Sequence, residues 1–200
     1  MRRHGGKDPA LDCWIHGHVP SVLAPVKGAE LFAPAAWCTL GPVDYLVVAL
    51  ASIEVAPLLT GLRQEYETRY GPGAGDSVLD VEAAEFDAPT GAFLVLVDDG
   101  TTVAGGGLRR IDDETVEVKR MWTNPDYRRQ GHASRLLREL AGLAEQLGYR
   151  RVRLETGYAQ PEALAMYRRL GFSEIDSFGP YEGATAFELD LATEARTPRH

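Results

Sequence analysis

Hydrophobic residues recur along the chain with two different spacings, and the changes between them divide it into successive strands and helices. Alternating or continuous apolar and β-branched residues predict strands at 45–50, 93–97, 103–110, 115–123, 150–156, 172–175 and 185–191. Spacings of three and four residues predict helices at 53–70, 132–147 and 161–170, with a shorter helical piece near 79–84. This order, with a hairpin turn at Asp98-Asp99-Gly100, predicts an α/β domain with helices on both faces of a mixed sheet.

A basic loop opens the most regular of these helices. Gly131 and Ala133 keep the turn free of bulky side chains, so that several backbone N–H groups can converge at the positive end of the helix dipole. Apolar residues from Leu136 to Leu147 form one stripe, and Gly148 is placed to end the helix. The segment therefore predicts an anion site suited to a pyrophosphate. The arginines that could add further positive charge to it are Arg128, Arg129, Arg135 and Arg138.

Two common phosphate-binding patterns do not fit this loop. A Walker A loop needs Lys-Ser or Lys-Thr at the helix start, where this chain has Ala133-Ser134. The dinucleotide fingerprint needs three spaced glycines directly after a strand, and this loop has only Gly131. Three consecutive glycines at 105–107 lie inside a strand pattern with no following helix, a placement typical of a β-bulge or a close backbone approach.

Two motifs resemble those of one enzyme family. The spacing Arg128-x-x-Gly131-x-Ala133 resembles the acetyl-coenzyme A signature of the GNAT superfamily of N-acetyltransferases. The run from Gln160 to Phe172 resembles that superfamily's terminal pattern, Asn-x-x-Ala-x-x-x-Tyr-x-x-x-Gly-Phe, with Gln160 where Asn is usual. The resemblance covers roughly residues 44–191. It implies the GNAT fold: α/β, with a mixed, mostly antiparallel central sheet and helices on both faces.

The resemblance also implies acetyl-coenzyme A as co-substrate, with no metal. The residues that it implies for binding this co-substrate are Met121, Trp122, Thr123, Arg128, Arg129, Gln130, Gly131, His132, Ala133, Ser134 and Gln160. The stretch from Met121 to Thr123 is expected to hydrogen-bond the pantetheine arm as an added strand would. A backbone N–H near Met121, where the strand splays from its neighbour, is expected to hold the thioester oxygen as it gains charge.

Two side chains are suited to the proton transfers of N-acetylation. The amine must lose a proton before it attacks the thioester. Glu117 lies eleven residues before Arg128, the offset at which some superfamily members carry this general base. Tyr167 stands where family members place the acid that protonates the departing thiolate. Each residue has a structural alternative, because Glu117 can pair with Lys119 on an alternating strand and Tyr167 can be a core aromatic residue.

Composition predicts the organisation of the chain and its setting. Prolines and glycines interrupt residues 1–43, which predicts an irregular N-terminal extension, followed by the N-acetyltransferase domain at 44–191 and a polar tail at 192–200. No apolar run approaches membrane-spanning length and no secretory signal is visible, so neither membrane insertion nor export is expected. The chain has only two cysteines, Cys13 and Cys38, which give no disulfide framework, so a cytoplasmic protein is expected. A net charge of −8 argues against general nucleic-acid binding.

The acceptor is expected to be the primary amine of a small molecule, attacked directly in a ternary complex. Acetylation of a protein N-terminus or lysine is one alternative, and a non-catalytic acyl-coenzyme A sensor domain is another. Residues 44–100 hold eleven acidic and two basic side chains, which favours a cationic acceptor if the site opens there. Tyr181 is a candidate for the wall of that site. The spacing of Cys13, His16, His18 and Cys38 matches no strong zinc pattern, so no metal site is expected there. Because homodimers are common in the family, the resemblance also implies a possible homodimer.

Overall fold

The computed structural model describes residues 44–80 and 82–194. Its strands are β1 (Asp44–Val48), β2 (Ala92–Asp98), β3 (Thr101–Arg110), β4 (Thr115–Thr123), β5 (Arg151–Thr156), β6 (Ser173–Ile175) and β7 (Thr185–Asp190). Its α-helices are α1 (Ala56–Tyr70), α2 (His132–Gln146), α3 (Pro161–Arg169) and α4 (Leu191–Glu194). Short 3₁₀ turns occupy Asp76–Val78, Ala83–Phe86 and Pro125–Tyr127.

The seven described strands form one mixed sheet in the order β1-β2-β3-β4-β5-β7-β6. Among them β4 and β5 are the one parallel pair, which confirms the mostly antiparallel sheet. The pairing of these two strands ends at Glu117 opposite Arg153, although β4 continues to Thr123 and β5 to Thr156. The two strands therefore diverge and leave a V-shaped opening in the middle of the sheet.

Helices cover both faces of the sheet because its central strands are apolar on both sides. In β2, Phe93 and Val95 belong to the buried cluster that contains Leu58 of α1. Leu94 and Leu96 point to the other face and join the cluster formed with the leucines of α2. Burial of each such side chain stabilises the fold by about 1.5–3 kcal/mol. This two-sided burial explains why β2 reads as a continuous hydrophobic run in the sequence.

The three glycines of β3 allow this close packing. The register of β3 against β4 shifts between Gly105 and Gly107, which marks a β-bulge. A Cβ atom at Gly107 would lie 2.7 Å from a ring carbon of Phe93, and one at Gly106 would lie 2.8 Å from Met121 Sδ. The bulge, one of the two alternatives predicted for these glycines, is confirmed.

Several predicted element boundaries are wrong. Ile53 is 82% exposed in a turn, and α1 begins only at Ala56. In place of the helical piece predicted near 79–84, one 3₁₀ turn ends at Val78 and another begins at Ala83, because the buried anchors are Val78 and Phe86 while Leu79 is exposed. The last strand stops at 190, and Leu191 instead begins α4.

Several expectations concern residues outside the described part of the chain. They include the irregular extension at 1–43, the tail beyond 194, and the cysteines and histidines considered for zinc. The domain boundaries remain predictions. Within residues 44–80 and 82–194, no helix is long and apolar enough to cross a membrane.

Candidate active site

Two cavities open along the V between β4 and β5. The first has a volume of about 460 Å³ and is bounded by the end of β4, the loop before α2 and the helix α3. The second has a volume of about 400 Å³ and is bounded by α1, the middle of β4, the end of β5 and the loop before β7. Met121, Gln160 and Tyr167 line both cavities, so the two spaces meet at these side chains.

The first cavity contains the predicted anion site. Gly131 caps α2 in the left-handed conformation, with φ at 87°, and a Cβ atom there would meet nothing within 4 Å. The first N–H groups of a helix have no intrahelical acceptor, so those that follow Gly131 are available to an anion. The predicted co-substrate residues that line this cavity are Met121, Trp122, Thr123, Arg128, Arg129, Gly131, His132, Ala133, Ser134 and Gln160. Gln130 does not line it, and its side-chain amide instead donates to the Asp126 carbonyl at 3.4 Å.

The arginines around this loop have different roles. Arg128 donates through Nε to the Thr123 carbonyl at 3.1 Å and pairs with Glu65 at 2.7 Å, so it also holds the end of β4 in place. Arg135 lies over the Tyr45 ring, 4.9 Å from its centroid, and lines neither cavity. The sequence placed Arg135 near the anion, but helical geometry turns it toward β1 instead. Sequence reasoning missed Arg169, which lies on the cavity wall two residues after the tyrosine of α3.

His132 is a buried titratable group on the wall of the first cavity. It is 6% exposed, and its ring lies edge-on to Tyr127 with centroids 6.3 Å apart. Burial lowers the pKa of His132, and the nearby Arg135 guanidinium lowers it further. The imidazole is therefore neutral near pH 7 and can offer one N–H to a ligand.

Tyr167 lies at the junction of the two cavities. It is 5% exposed, and its ring packs against Phe187 and Phe172 at centroid distances of 5.5 and 6.0 Å. Its hydroxyl has no hydrogen-bond partner among the described residues. Burial, and then the Tyr66 phenol, raise the pKa of Tyr167 above its ordinary value, so the hydroxyl keeps its proton. The ring is thus a core residue, as the structural alternative held, while the hydroxyl remains available at the junction.

Gln160 occupies the position where the family pattern has Asn. Its side chain does not cap α3. Instead it accepts from the Thr156 hydroxyl at 3.2 Å and donates to the Tyr70 hydroxyl at 3.1 Å. The longer amide therefore links the end of β5 to α1 across the opening between the cavities.

Glu117 lies on the wall of the second cavity in a buried ion-pair network. Its side chain is 4% exposed, with Oε1 2.9 Å from Lys119 Nζ and Oε2 2.7 Å from a guanidinium nitrogen of Arg109. The pairing with Lys119 that the sequence offered as an alternative is present, and Arg109 adds a second cation. Protonation of Glu117 would weaken at least one of these pairs.

Glu155 is a second carboxylate on this wall that sequence reasoning did not identify. Its Oε1 accepts from the Ser177 hydroxyl at 2.7 Å and from the backbone N–H groups of Phe178 and Gly179 at 3.0 and 2.9 Å. The carboxylate thus fastens the loop that carries Tyr181, which lines the cavity. Lys119 Nζ lies 5.4 Å from the Tyr181 ring centroid.

The acidic residues of the 76–87 loop do not line the second cavity in the described part of the chain. Asp76 pairs with Arg63, and Glu85 pairs with Arg109. The acidic balance of residues 44–100 is therefore partly neutralised by ion pairs, and it is not concentrated on the cavity wall.

Both the sequence and the fold of this chain are similar to those of known acetyltransferases. Residues 59–172 match the model of the acetyltransferase (GNAT) family. An IAA acetyltransferase of Azospirillum brasilense is 36% identical over 112 residues, which cover 55% of this chain and 71% of that protein. A GNAT-family acetyltransferase of Staphylococcus aureus has a TM-score of 0.62 at 16% identity, covering 75% of this chain and 99% of that one. The PaiA N-acetyltransferase of Thermoplasma acidophilum, in complex with coenzyme A, has a TM-score of 0.58 at 17% identity, covering 74% and 99%.

Proposed function

The chain belongs to the acetyltransferase (GNAT) family, and we propose that it moves an acetyl group from acetyl-coenzyme A to the primary amine of a small molecule. The observation that carries the proposal is the meeting of two cavities at Met121, Gln160 and Tyr167. One cavity is lined by a helix N-terminus and arginines, and the wall of the other contains four tyrosines besides Tyr167. Two substrates entering from opposite sides would place their reacting groups at this junction.

The first cavity suits acetyl-coenzyme A. Its wall combines a bare helix N-terminus at Gly131 with the guanidinium groups of Arg128 and Arg129, which together favour a pyrophosphate. The edge of β4 beyond Glu117 has no strand paired with it on the β5 side, so it can accept an extended pantetheine arm. The PaiA protein, which shares the fold, binds coenzyme A. Acetyl-coenzyme A would supply a thioester carbonyl at the junction.

Tyr167 is the proposed proton donor to the departing thiolate. Its hydroxyl lies at the junction, keeps its proton, and makes no competing hydrogen bond within the described residues. Because Tyr167 lines both cavities, a ligand at the junction can accept a hydrogen bond from this hydroxyl. The attack would form a carbon–nitrogen bond and break the carbon–sulfur bond, and the proton of Tyr167 would go to the sulfur.

Met121 is the proposed source of the backbone N–H that binds the thioester oxygen. It has no paired residue in β3, because of the bulge, and none in β5, because of the splay. Its N–H group is therefore a candidate for the developing negative charge.

Glu117 is the proposed acceptor of the proton that the amine loses. It shares the second cavity with Tyr167 and is buried away from bulk water. Its two ion pairs hold the carboxylate in one orientation, and a transfer through water would have to loosen one of them.

The second cavity supports a small acceptor rather than a protein. A volume of about 400 Å³ lies within the usual range for small-molecule sites. Its wall includes Tyr66, Tyr70, Tyr158 and Tyr181, which would surround the body of such an acceptor.

The test is release of free coenzyme A thiol from acetyl-coenzyme A in the presence of polyamines, amino acids, aminoglycosides and short peptides. We expect release with one class of small amine. Release with peptides alone would contradict the small-molecule proposal. No release with any amine, in a sample whose melting temperature acetyl-coenzyme A raises, would instead support a sensor domain.

A further inference from the structure

Arg120 of β4 is a buried cation on the wall of the second cavity. The residue is 7% exposed and lines that cavity but not the first. Its backbone is in the left-handed region, with φ at 59°, which an arginine rarely adopts. The β3–β4 bulge accounts for this conformation, because Arg120 and Met121 together face Gly106. Backbone outliers of this kind cluster at functional sites.

The guanidinium of Arg120 has few partners in the described residues. One terminal nitrogen donates to the Ser77 carbonyl at 2.6 Å, and Nε is buried without a hydrogen-bond partner. No carboxylate of the described part of the chain forms an ion pair with it. Lys119, the other cation on this wall, pairs with Glu117 at 2.9 Å. An arginine has five N–H donors, and burying its charge without a counterion is expensive.

Arg120 also lies electrostatically close to the reacting centre. Burial raises the pKa of Tyr66 to about 12, and the Arg120 charge opposes that rise, so the phenol lies within the field of the guanidinium. Tyr66 in turn raises the pKa of Tyr167, after the larger effect of burial. The three side chains line one cavity, in which Tyr66 interacts with both the cation and the proposed acid.

We propose that the acceptor is an amine that also carries a carboxylate, and that Arg120 binds this carboxylate while the amine lies at the Tyr167 junction. The guanidinium fork matches a carboxylate in shape and charge, and binding would supply the missing counterion. Arg120 is then a specificity-determining residue, whereas the protonated hydroxyl of Tyr66 can donate a second hydrogen bond to the same group. This inference rests on the proposed function.

A purely structural role for Arg120 must be distinguished from this one. The bond to the Ser77 carbonyl fastens the Asp76–Val78 turn to β4, so any replacement of Arg120 can lower stability. Stability does not depend on whether the acceptor has a carboxylate. The deciding quantity is therefore the ratio of kcat/KM between an amino acid and the amide or decarboxylated amine with the same skeleton.

The experiment measures this ratio for matched pairs of α-, β- and γ-amino acids with wild type, Arg120→Gln and Arg110→Gln. Arg110 is an exposed arginine at the end of β3 that lines neither cavity, so it is the matched control. We expect wild type and Arg110→Gln to prefer the carboxylated member of at least one pair by about tenfold or more. In Arg120→Gln that preference should disappear, while turnover of the uncharged member is retained.

Two outcomes would overturn the inference while leaving the proposed function intact. One is turnover by wild type with no preference for any carboxylated acceptor. The other is an equal loss in Arg120→Gln for both members of a pair. If Arg120→Gln does not fold, Arg120→Lys keeps the charge without the bidentate fork and should show a reduced preference. If no amine is turned over, the proposed function fails, and the inference is judged by whether N-acetyl amino acids raise the melting temperature of wild type more than their amides do.

Discussion

Replacement of Tyr167 by Phe separates the packing of its ring in the core from its proposed role as a proton donor. Phe preserves the ring that packs against Phe172 and Phe187 and removes only the hydroxyl. Because that hydroxyl has no partner in the described residues, its loss should change the free energy of unfolding by less than about 1 kcal/mol. Affinity for acetyl-coenzyme A should survive, since the wall at Gly131 is untouched.

The expected loss in turnover follows from the bond that the hydroxyl would make. A hydrogen bond to a charged group contributes about 1.5–3 kcal/mol, and about 1.4 kcal/mol corresponds to a tenfold change in rate. If Tyr167 donates to the developing thiolate, kcat should fall roughly 10- to 150-fold. The assay is release of coenzyme A thiol at saturating acceptor, with the melting temperature measured on the same samples with and without acetyl-coenzyme A.

Tyr149 provides a matched control in the same domain. It is 7% exposed, lines neither cavity, and its hydroxyl donates to the Thr90 carbonyl at 2.6 Å. Tyr149→Phe should cost about 1–3 kcal/mol, because the carbonyl loses its partner. At roughly 2–4 °C per kcal/mol, the melting temperature should fall visibly while kcat is unchanged. Unchanged kcat in Tyr167→Phe would refute its role as the acid, and a fall in melting temperature alone would make it a core residue only.

Three further perturbations test other parts of the site. Glu117→Gln should lower kcat at least about tenfold, whereas Glu85→Gln, outside the cavities, should leave kcat intact. Equal effects of the two substitutions would contradict a base role for Glu117. Gly131→Ala should lower the free energy of unfolding by about 1 kcal/mol because φ is 87°, and it should reduce the melting-temperature rise on addition of acetyl-coenzyme A. Gly142→Ala, inside α2 where a Cβ atom would meet nothing within 4 Å, should instead stabilise the protein by about 0.5–1 kcal/mol. Similar shifts in both variants would argue against an anion site. Since burial lowers the pKa of His132 in the folded state, the unfolded chain binds more protons below about pH 6.5, so stability should fall as pH drops. Urea unfolding of His132→Gln should show a shallower fall between about pH 7.5 and 5.5, and an identical slope would rule out this contribution.

The sequence was sufficient for the fold because local patterns agree with the tertiary packing. The apolar stripe from Leu136 to Leu147 predicts the buried face of α2, and the alternation at 115–123 predicts the buried face of β4. The predictions of secondary structure failed where a tertiary contact decides which residues are buried. Leu79 is apolar but exposed, because Val78 and Phe86 already fill the space beneath the loop. No periodicity over so short a segment could have distinguished these three residues.

The walls of the first and second cavities differed in how far they could be predicted from the sequence. Residues around Gly131 are contiguous, so a backbone argument about one turn could place them. The second cavity is assembled from α1, β4, β5 and the loop before β7, and its members share no spacing that a motif could capture. Arg120 shows the difference most clearly, since in the sequence it is one more residue of an alternating strand. Only the bulge that Gly106 permits gives it a left-handed backbone and leaves it buried on the cavity wall without a carboxylate partner among the described residues. If Arg120 selects the acceptor as proposed, specificity depends on this distortion of the sheet. Replacing Gly106 should then alter the ratio of kcat/KM between an amino acid and its amide, although Gly106 lines neither cavity.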